Sequence, residues 1–304
     1  MRLIQFFLPG KGKRVGVIQG DRVLDITSSD EGVRCTLDLI AQGKTARGVV
    51  TRATWLTKKL HQRGLDWREL QQAPSRRSPH LLVPLDAPEV WGAKDTHALI
   101  VEPSQGGATS DPPHARPVKP DTAADPRPVL FFKATADRVV GPHVPIAIRQ
   151  DSRRTVPEAS LAVVLGAGGP VVAFTACNDV VACDIEQGGA EYLSQARIYR
   201  GGCALGPCLT TPDEIDDPGA LQVRCSILRA GTAIFSAAAS TALLTRSVDT
   251  LVSWLLRDNP VPAGTVLSTG TGIRVPDAAA LADGDRVDIE AQNVGRLSNP
   301  VRGQ

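Results

Sequence analysis

The sequence predicts an α+β fold rich in β-structure, and three observations carry that expectation. From Val129 onward, short runs of β-branched and aliphatic residues bounded by Gly, Pro or Asp dominate the chain. Helical spacing of apolar residues is confined to a few segments. No regular strand–helix alternation of the kind βαβ units need runs through the sequence, and no internal repeat emerges. The 304 residues, 42% of them hydrophobic and 22% charged, hold enough apolar side chains for a buried core. At roughly 150 residues per domain, two units or one large one with an appendage are expected.

Taken in order, residues 14–19 and 22–25 flank Gly20-Asp21 and predict a hairpin, since glycine supplies the positive φ of a tight turn. Leu and Ile recur at helical spacing in 36–42 and 51–60, a shorter helix is expected at 66–72, and a strand at 81–83. Residues 1–80 thus predict a small N-terminal α+β domain. Residues 81–128 form a connector. Its stretch 102–128 carries Pro103, Pro112, Pro113, Pro117, Pro120, Pro126 and Pro128 and little that is apolar, so it reads as a linker, a mobile lid or a plain surface excursion. Residues 129–304 form the main domain, with strands predicted at 129–132, 161–165, 171–175, 221–228 and 287–291. One helix is predicted at 241–257 and ended by Asp258-Asn259-Pro260, because proline cannot continue the hydrogen-bond ladder.

Composition excludes several classes of function. A net charge of +2 from 34 basic and 32 acidic residues gives no electrostatic case for a nucleic acid partner. The N-terminus is apolar for too few residues to predict a signal peptide, and no run of about 18 apolar residues predicts a membrane span, so a cytoplasmic location is expected. The six cysteines are then expected to be reduced thiols, and without a C-x-x-C pair they make a poor zinc site. The last lysine is Lys133 and the last histidine His143, so acid–base chemistry beyond them falls to carboxylates, cysteines, tyrosines or water.

Four segments could carry chemistry. Glu158 stands at the mouth of an apolar run, as a functional carboxylate or as a solvated strand end. In residues 177–186, Asp179, Asp184 and Glu186 follow a buried-type strand; if a helical turn follows Asp179, Cys183 and Glu186 share a face and Asp179 lies near the helix start. The alternative is a capped helix with ordinary surface acids. Gly201-Gly202-Cys203-Ala204-Leu205-Gly206-Pro207, preceded by Arg197 and Tyr199, matches no phosphate-binding loop. Ser268-Thr269-Gly270-Thr271-Gly272 suits close approach to a ligand anion, or simply a tight turn.

Together and in this order, these segments resemble the fumarylacetoacetate hydrolase superfamily. The resemblance rests on Leu130-Phe131-Phe132-Lys133, Glu158-x-Ser160-Leu161-Ala162-Val163-Val164, Asn178-Asp179-Val180, Leu205-Gly206-Pro207 and Thr269-Gly270-Thr271-Gly272. It continues through Asp283-Gly284-Asp285 and Gly295-x-Leu297-x-Asn299-Pro300. Phe131 to Thr135, Tyr192-Leu193-x-Gln195-Ala196, Arg257-Asp258-Asn259-Pro260 and Met1-Arg2-Leu3 are similar to the 2-dehydro-3-deoxy-D-arabinonate dehydratase-like branch. The resemblance implies a catalytic domain built on a mixed β-sheet roll, a homodimer or higher homo-oligomer, and a small carbonyl or carboxylate substrate. It also implies a hard dication, Mg²⁺ or Mn²⁺, held by a Glu-x-Glu pair and the Asp of the Asn-Asp motif, whose charge offsets a developing enolate.

Carried over by position, the first Glu is Glu158 and the Asp is Asp179, but Ser160 stands where the second Glu belongs. Loss of one anionic ligand should weaken divalent binding strongly. Nearby, Cys183 replaces a substrate-polarising arginine, Arg197 replaces a substrate-binding lysine, and Lys94-Asp95-Thr96-His97 replaces the branch's Gly-Val-Thr-Tyr lid motif. Glu186 and Thr271 are retained. Two readings follow. In the first, metal binding is lost or weakened, no cofactor is needed, and the scaffold serves a lyase, cyclisation or isomerisation step of a specialised pathway. In the second, Asp95 completes a rearranged metal triad with Glu158 and Asp179, and the chain is an orthodox Mg²⁺-dependent dehydratase or C–C hydrolase. The expected enzyme acts on a β-hydroxy, keto or β-dicarbonyl substrate through an enol or enolate. Glu158, Asp179, Glu186 and His97 supply acid–base groups, and His97 enters on the lid. Arg197, Lys133, Tyr199, Thr269, Gly270 and Thr271 bind substrate. Cys183 is a further candidate nucleophile, and a non-catalytic binding protein on the same scaffold is the alternative of a different class.

Overall fold

The structure, a computed structural model, describes residues 1–30, 32–60, 64–102, 114–117 and 127–303. Strands β1 (Arg2–Leu8), β2 (Gly12–Gln19) and β3 (Arg22–Asp25) open the chain, followed by helices α1 (Thr36–Gly43) and α2 (Ala46–Thr57). Then come β4 (Val90–Lys94), β5 (Val129–Ala134), β6 (Ala159–Leu165) and β7 (Val171–Asp179). Two short helices, α3 (Cys183–Glu186) and α4 (Leu193–Arg197), lead into β8 (Cys203–Thr210). The remainder is β9 (Gln222–Arg229), β10 (Thr232–Ser240), α5 (Val248–Leu255), β11 (Val266–Ser268), β12 (Arg286–Ala291) and β13 (Gly295–Arg302).

A mixed sheet of twelve strands among the described residues runs in the order β3–β2–β1–β8–β7–β6–β11–β4–β5, with Leu65–Asp66 beyond β3 and with Val139–Val140 and His80–Leu81 joined at its flanks. A second sheet of five strands, Ile146–Ala147, β13, β12, β9 and β10, packs against it. The β-rich α+β class follows, with helices only at the margins. Strand β6 is a continuous apolar run because both its faces are covered. Leu161, Val163 and Leu165 join Val223, Ile227 and Ile289 of the smaller sheet, whereas Ala162 and Val164 join Leu39, Ile40, Val49 and Leu56 of α1 and α2. By contrast β9 alternates: Val223, Cys225 and Ile227 are buried while Gln222 and Arg224 face solvent.

Several expectations change. The sheet strands of residues 1–80 join the main sheet, since β1 pairs antiparallel with β8 at Arg2↔Thr210 and Leu3↔Leu209. The long helix expected at 241–257 is broken: a 3₁₀ turn spans Thr241–Leu243, Thr245 donates its N–H to the Thr96 carbonyl, and α5 begins only where Ser247 Oγ accepts the Thr250 N–H. The short helix expected at 66–72 is a 3₁₀ turn, Trp67–Leu70. The hairpin turn forms as expected, with Gly20 at φ +60. Within the proline-rich stretch, Leu99–Glu102 pairs antiparallel with His114–Pro117, and the expected lid at 103–113 and 118–126 lies outside the described residues. Among the described residues no helix is long and apolar enough to cross a membrane.

Candidate active site

The pairing of β6 with β7 sets the site. Just before β6, Glu158 exchanges both main-chain bonds with Asp179 at the end of β7, at 3.2 and 3.0 Å, which brings the two carboxylates side by side. Asp179 is therefore a strand terminus, not the helix start that the sequence allowed. Val181–Ala182 intervenes before α3, which carries Glu186 at its last turn. Helix α4 then delivers Arg197, 1% exposed, into the middle of the three acids.

The Arg197 guanidinium is shared among them. Its Nη1 donates to Glu158 Oε2 (2.8 Å) and Asp179 Oδ2 (3.0 Å), its Nη2 to Glu158 Oε1 (3.1 Å), and its Nε to Glu186 Oε1 (2.7 Å). Two lysines complete the set. Lys133 Nζ lies 2.5 Å from Asp179 Oδ1 and donates to the Val180 carbonyl, and Lys94 Nζ lies 3.1 Å from Glu186 Oε2. Every carboxylate oxygen of Glu158, Asp179 and Glu186 thus has a cationic nitrogen beside it. Phe131, two residues before Lys133 on the same face of β5, lies under the guanidinium at 4.6 Å.

Burial alone would push the Glu186 carboxyl upward, but the Arg197 hydrogen bond and charge, with Lys94, outweigh it and hold the group below its ordinary range. Burial likewise works against the Arg197 charge, and the charges of Glu158 and Asp179 reverse that effect. Burial pushes the Cys183 thiol up to about 11 and the Tyr199 phenol upward, so neither is an anion at neutral pH. This removes the thiolate nucleophile expected as a possibility at Cys183. The Tyr199 hydroxyl is buried without a protein partner, as are both amide atoms of Asn178.

At the neighbouring end of β11 the polar groups are neutral. Ser160 Oγ meets Ser268 Oγ at 2.6 Å. The Thr96 hydroxyl donates to the Thr269 carbonyl (2.7 Å), so it can only accept from His97 Nδ1, 3.0 Å away; the imidazole carries its proton on Nδ1. His97 is 4% exposed and burial pushes its pKa down to about 4, so it stands as a neutral imidazole inside the fold at neutral pH. The Thr269 hydroxyl donates to the Leu161 carbonyl, and the Thr271 hydroxyl accepts the Ile273 N–H, so these hydroxyls close the turn around Gly270. His97, Ser160, Thr269 and Gly270 line one small cavity.

The residues present do not fit a dication. Ser160 is bonded to another hydroxyl, and the carboxylate oxygens that remain face ammonium and guanidinium nitrogens. Asp95, expected as a replacement ligand, is exposed at φ +55 in the turn after β4. Among the described residues no group of three or more His, Cys, Asp or Glu is placed to hold a metal ion, so the rearranged triad of Glu158, Asp179 and Asp95 is not assembled. Lys94, Phe131 and Ser268 stood in segments that the sequence singled out but were given no role there. Phe131 had a further signal in its two-residue spacing from Lys133; Lys94 and Ser268 reach the site through strand pairings across the sheet.

A partly buried cluster of acids and bases at the strand ends of a mixed sheet is the kind of centre from which an acid–base enzyme works. The chain belongs to the fumarylacetoacetate hydrolase family: residues 108–302 match Fumarylacetoacetate (FAA) hydrolase C-terminal. It is 36% identical over 239 residues to the 2-dehydro-3-deoxy-D-arabinonate dehydratase of Saccharolobus solfataricus, covering 79% of this chain and 80% of that protein. Identity is also 36% over 294 residues, 95% of each chain, to the probable 2-keto-3-deoxyxylonate dehydratase of Haloferax volcanii. A solved 2-keto-3-deoxy-D-arabinonate dehydratase complexed with magnesium and 2,5-dioxopentanoate superposes with a TM-score of 0.80 at 30% identity, covering 100% of this chain and 99% of that one. The family and its sugar-acid dehydratase branch, read from the sequence motifs, are the ones these comparisons return.

Proposed function

We propose that the chain is a lyase acting on a small 2-oxo acid bearing a β-hydroxyl, through an enolate formed without a metal. The observation that carries this reading is the shared cluster of Glu158, Asp179, Glu186, Arg197, Lys133 and Lys94 on a scaffold similar to sugar-acid dehydratases. A carboxylate of the cluster, Glu158 being the most exposed, takes the proton on the carbon next to the oxo group, and the C–H electrons pass into the enolate. Cationic nitrogens of the cluster stabilise the enolate oxygen. The enolate then re-forms the oxo group and expels the β-hydroxyl, which leaves as water with a proton returned by an acid of the cluster. Thr269 and Gly270, with Ser160 and His97, line a small cavity on the side to which this reading assigns the rest of the substrate.

Incubation with 2-keto-3-deoxy sugar acids tests the reading. Loss of one water by mass spectrometry, and deuterium uptake next to the oxo group in D₂O, are expected with EDTA present. If no such acid exchanges deuterium or loses water, yet several raise the melting temperature, the scaffold is a binding protein. That second reading draws support from the complete pairing of the carboxylate oxygens, which leaves the acids less free as bases. An EDTA-abolished turnover would return the chain to orthodox metal-dependent dehydration.

A further inference from the structure

We infer that the guanidinium of Arg197 is the resident cation of this site, standing among Glu158, Asp179 and Glu186 and closing it to divalent ions. Three observations carry it. Arg197 engages all three acids at once, through Nε, Nη1 and Nη2, from a position 1% exposed. The two oxygens it leaves, Asp179 Oδ1 and Glu186 Oε2, are taken by Lys133 and Lys94, so three carboxylates meet three cations and the cluster is neutral as built. Ser160, facing Ser268 rather than the acids, supplies no further negative charge. A dication entering here must displace a buried, hydrogen-bonded guanidinium or leave a net charge of +2 in a partly buried site, and both are unfavourable.

A planar guanidinium also fixes geometry in a way a spherical ion does not: its fixed N–H directions each meet a carboxylate, with the Phe131 ring against it. Arg197 is thus a positioning residue as well as a counter-charge. The inference concerns occupancy of the site and holds whether or not the lyase reading does.

Binding experiments on the full chain test it without reference to turnover. Titration of the wild-type protein with Mn²⁺, followed by electron paramagnetic resonance and by melting temperature, is expected to give no saturable site up to about 1 mM, the weak end of carboxylate sites for hard cations. Arg197→Ala opens a guanidinium-sized space between the acids. Its melting temperature is expected to rise with low concentrations of guanidinium or ethylguanidinium that do not raise that of the wild type. The Ser160→Glu/Arg197→Ala variant is expected to bind Mn²⁺ at least about tenfold more tightly than the wild type, through restored ligand charge. One equivalent of Mn²⁺ on the wild type below about 0.1 mM, lost in Glu158→Gln, would overturn the inference, as ligand charge sets such affinities. So would a folded Arg197→Ala that ignores guanidinium. The wild-type titration decides the matter even where Arg197→Ala fails to fold.

Discussion

The two polar patches beside the N-terminal end of β6 are built on opposite principles. Around Glu158 and Asp179 the side chains that engage one another are charged, and the charges cancel within a few ångströms. Around Ser160, Ser268, Thr96 and His97 every group is neutral, and each hydroxyl is held by another hydroxyl, an imidazole or a main-chain carbonyl. The difference teaches where each patch is fragile. Removing one member of a buried charge network strands its partners, whereas removing one hydroxyl strands only a neutral atom.

Arg197→Met should therefore show the largest effect. It leaves three acids with only Lys133 and Lys94, and a loss of about 3–5 kcal/mol in urea unfolding is expected, the usual cost of breaking a buried ion pair. The same variant should show a flatter acid limb. Glu186 is held low in the folded protein, so its contribution is present above the ordinary value of 4.5 and is lost as pH falls through the lower folded value; without Arg197 that dependence shrinks.

The neutral patch carries its own pH signature through His97. Its folded pKa is depressed from 6.5 to about 4, so the unfolded chain takes up a proton that the folded one refuses, and stability falls as pH drops across that window. Between pH 7 and pH 4 the wild type should lose about 3 kcal/mol more than His97→Asn, measured by denaturant unfolding at each pH. Equal losses would mean that His97 is not buried as a neutral imidazole.

Smaller effects sharpen the contrast. Gly270 sits at φ +84, and an added Cβ would lie 2.3 Å from Thr96 Oγ and 2.6 Å from the Ala93 carbonyl. Gly270→Ala should cost about 1–3 kcal/mol in thermal unfolding, through strain and loss of the Thr96–Thr269 bond. Ser160→Ala should cost about 1 kcal/mol, the price of one unpartnered neutral hydroxyl at Ser268. A Ser160→Ala loss as large as that of Arg197→Met would erase the distinction between the patches.

Much of this was legible in the sequence, for identifiable reasons. Strands were visible where local composition dictated them, as in β6, β7 and β12. The Glu158, Asp179, Glu186 and Arg197 positions stood out because the motifs around them resembled a family; beside its apolar run alone, Glu158 read as well as a solvated strand end. The 241–257 helix misled, since periodicity does not register a capping serine at 247 or a main-chain bond from Thr245 to a loop 149 residues away. The burial of His97 had no local signal either: it lies against Gly272 and is bridged to Leu244, residues far along the chain.

By itself, the sequence determined the β-rich class, the strand-forming segments, the family resemblance and the absence of a carboxylate at position 160, because these are local or positional properties of the chain. The tertiary structure alone decided that residues 1–80 share the main sheet, that Asp95 stays outside, and that Arg197 sits between all three acids. Those facts depend on which strands pair and on which side chain reaches a common point from α4, β4 and β5, and such meetings are set by three-dimensional packing rather than by spacing along the chain.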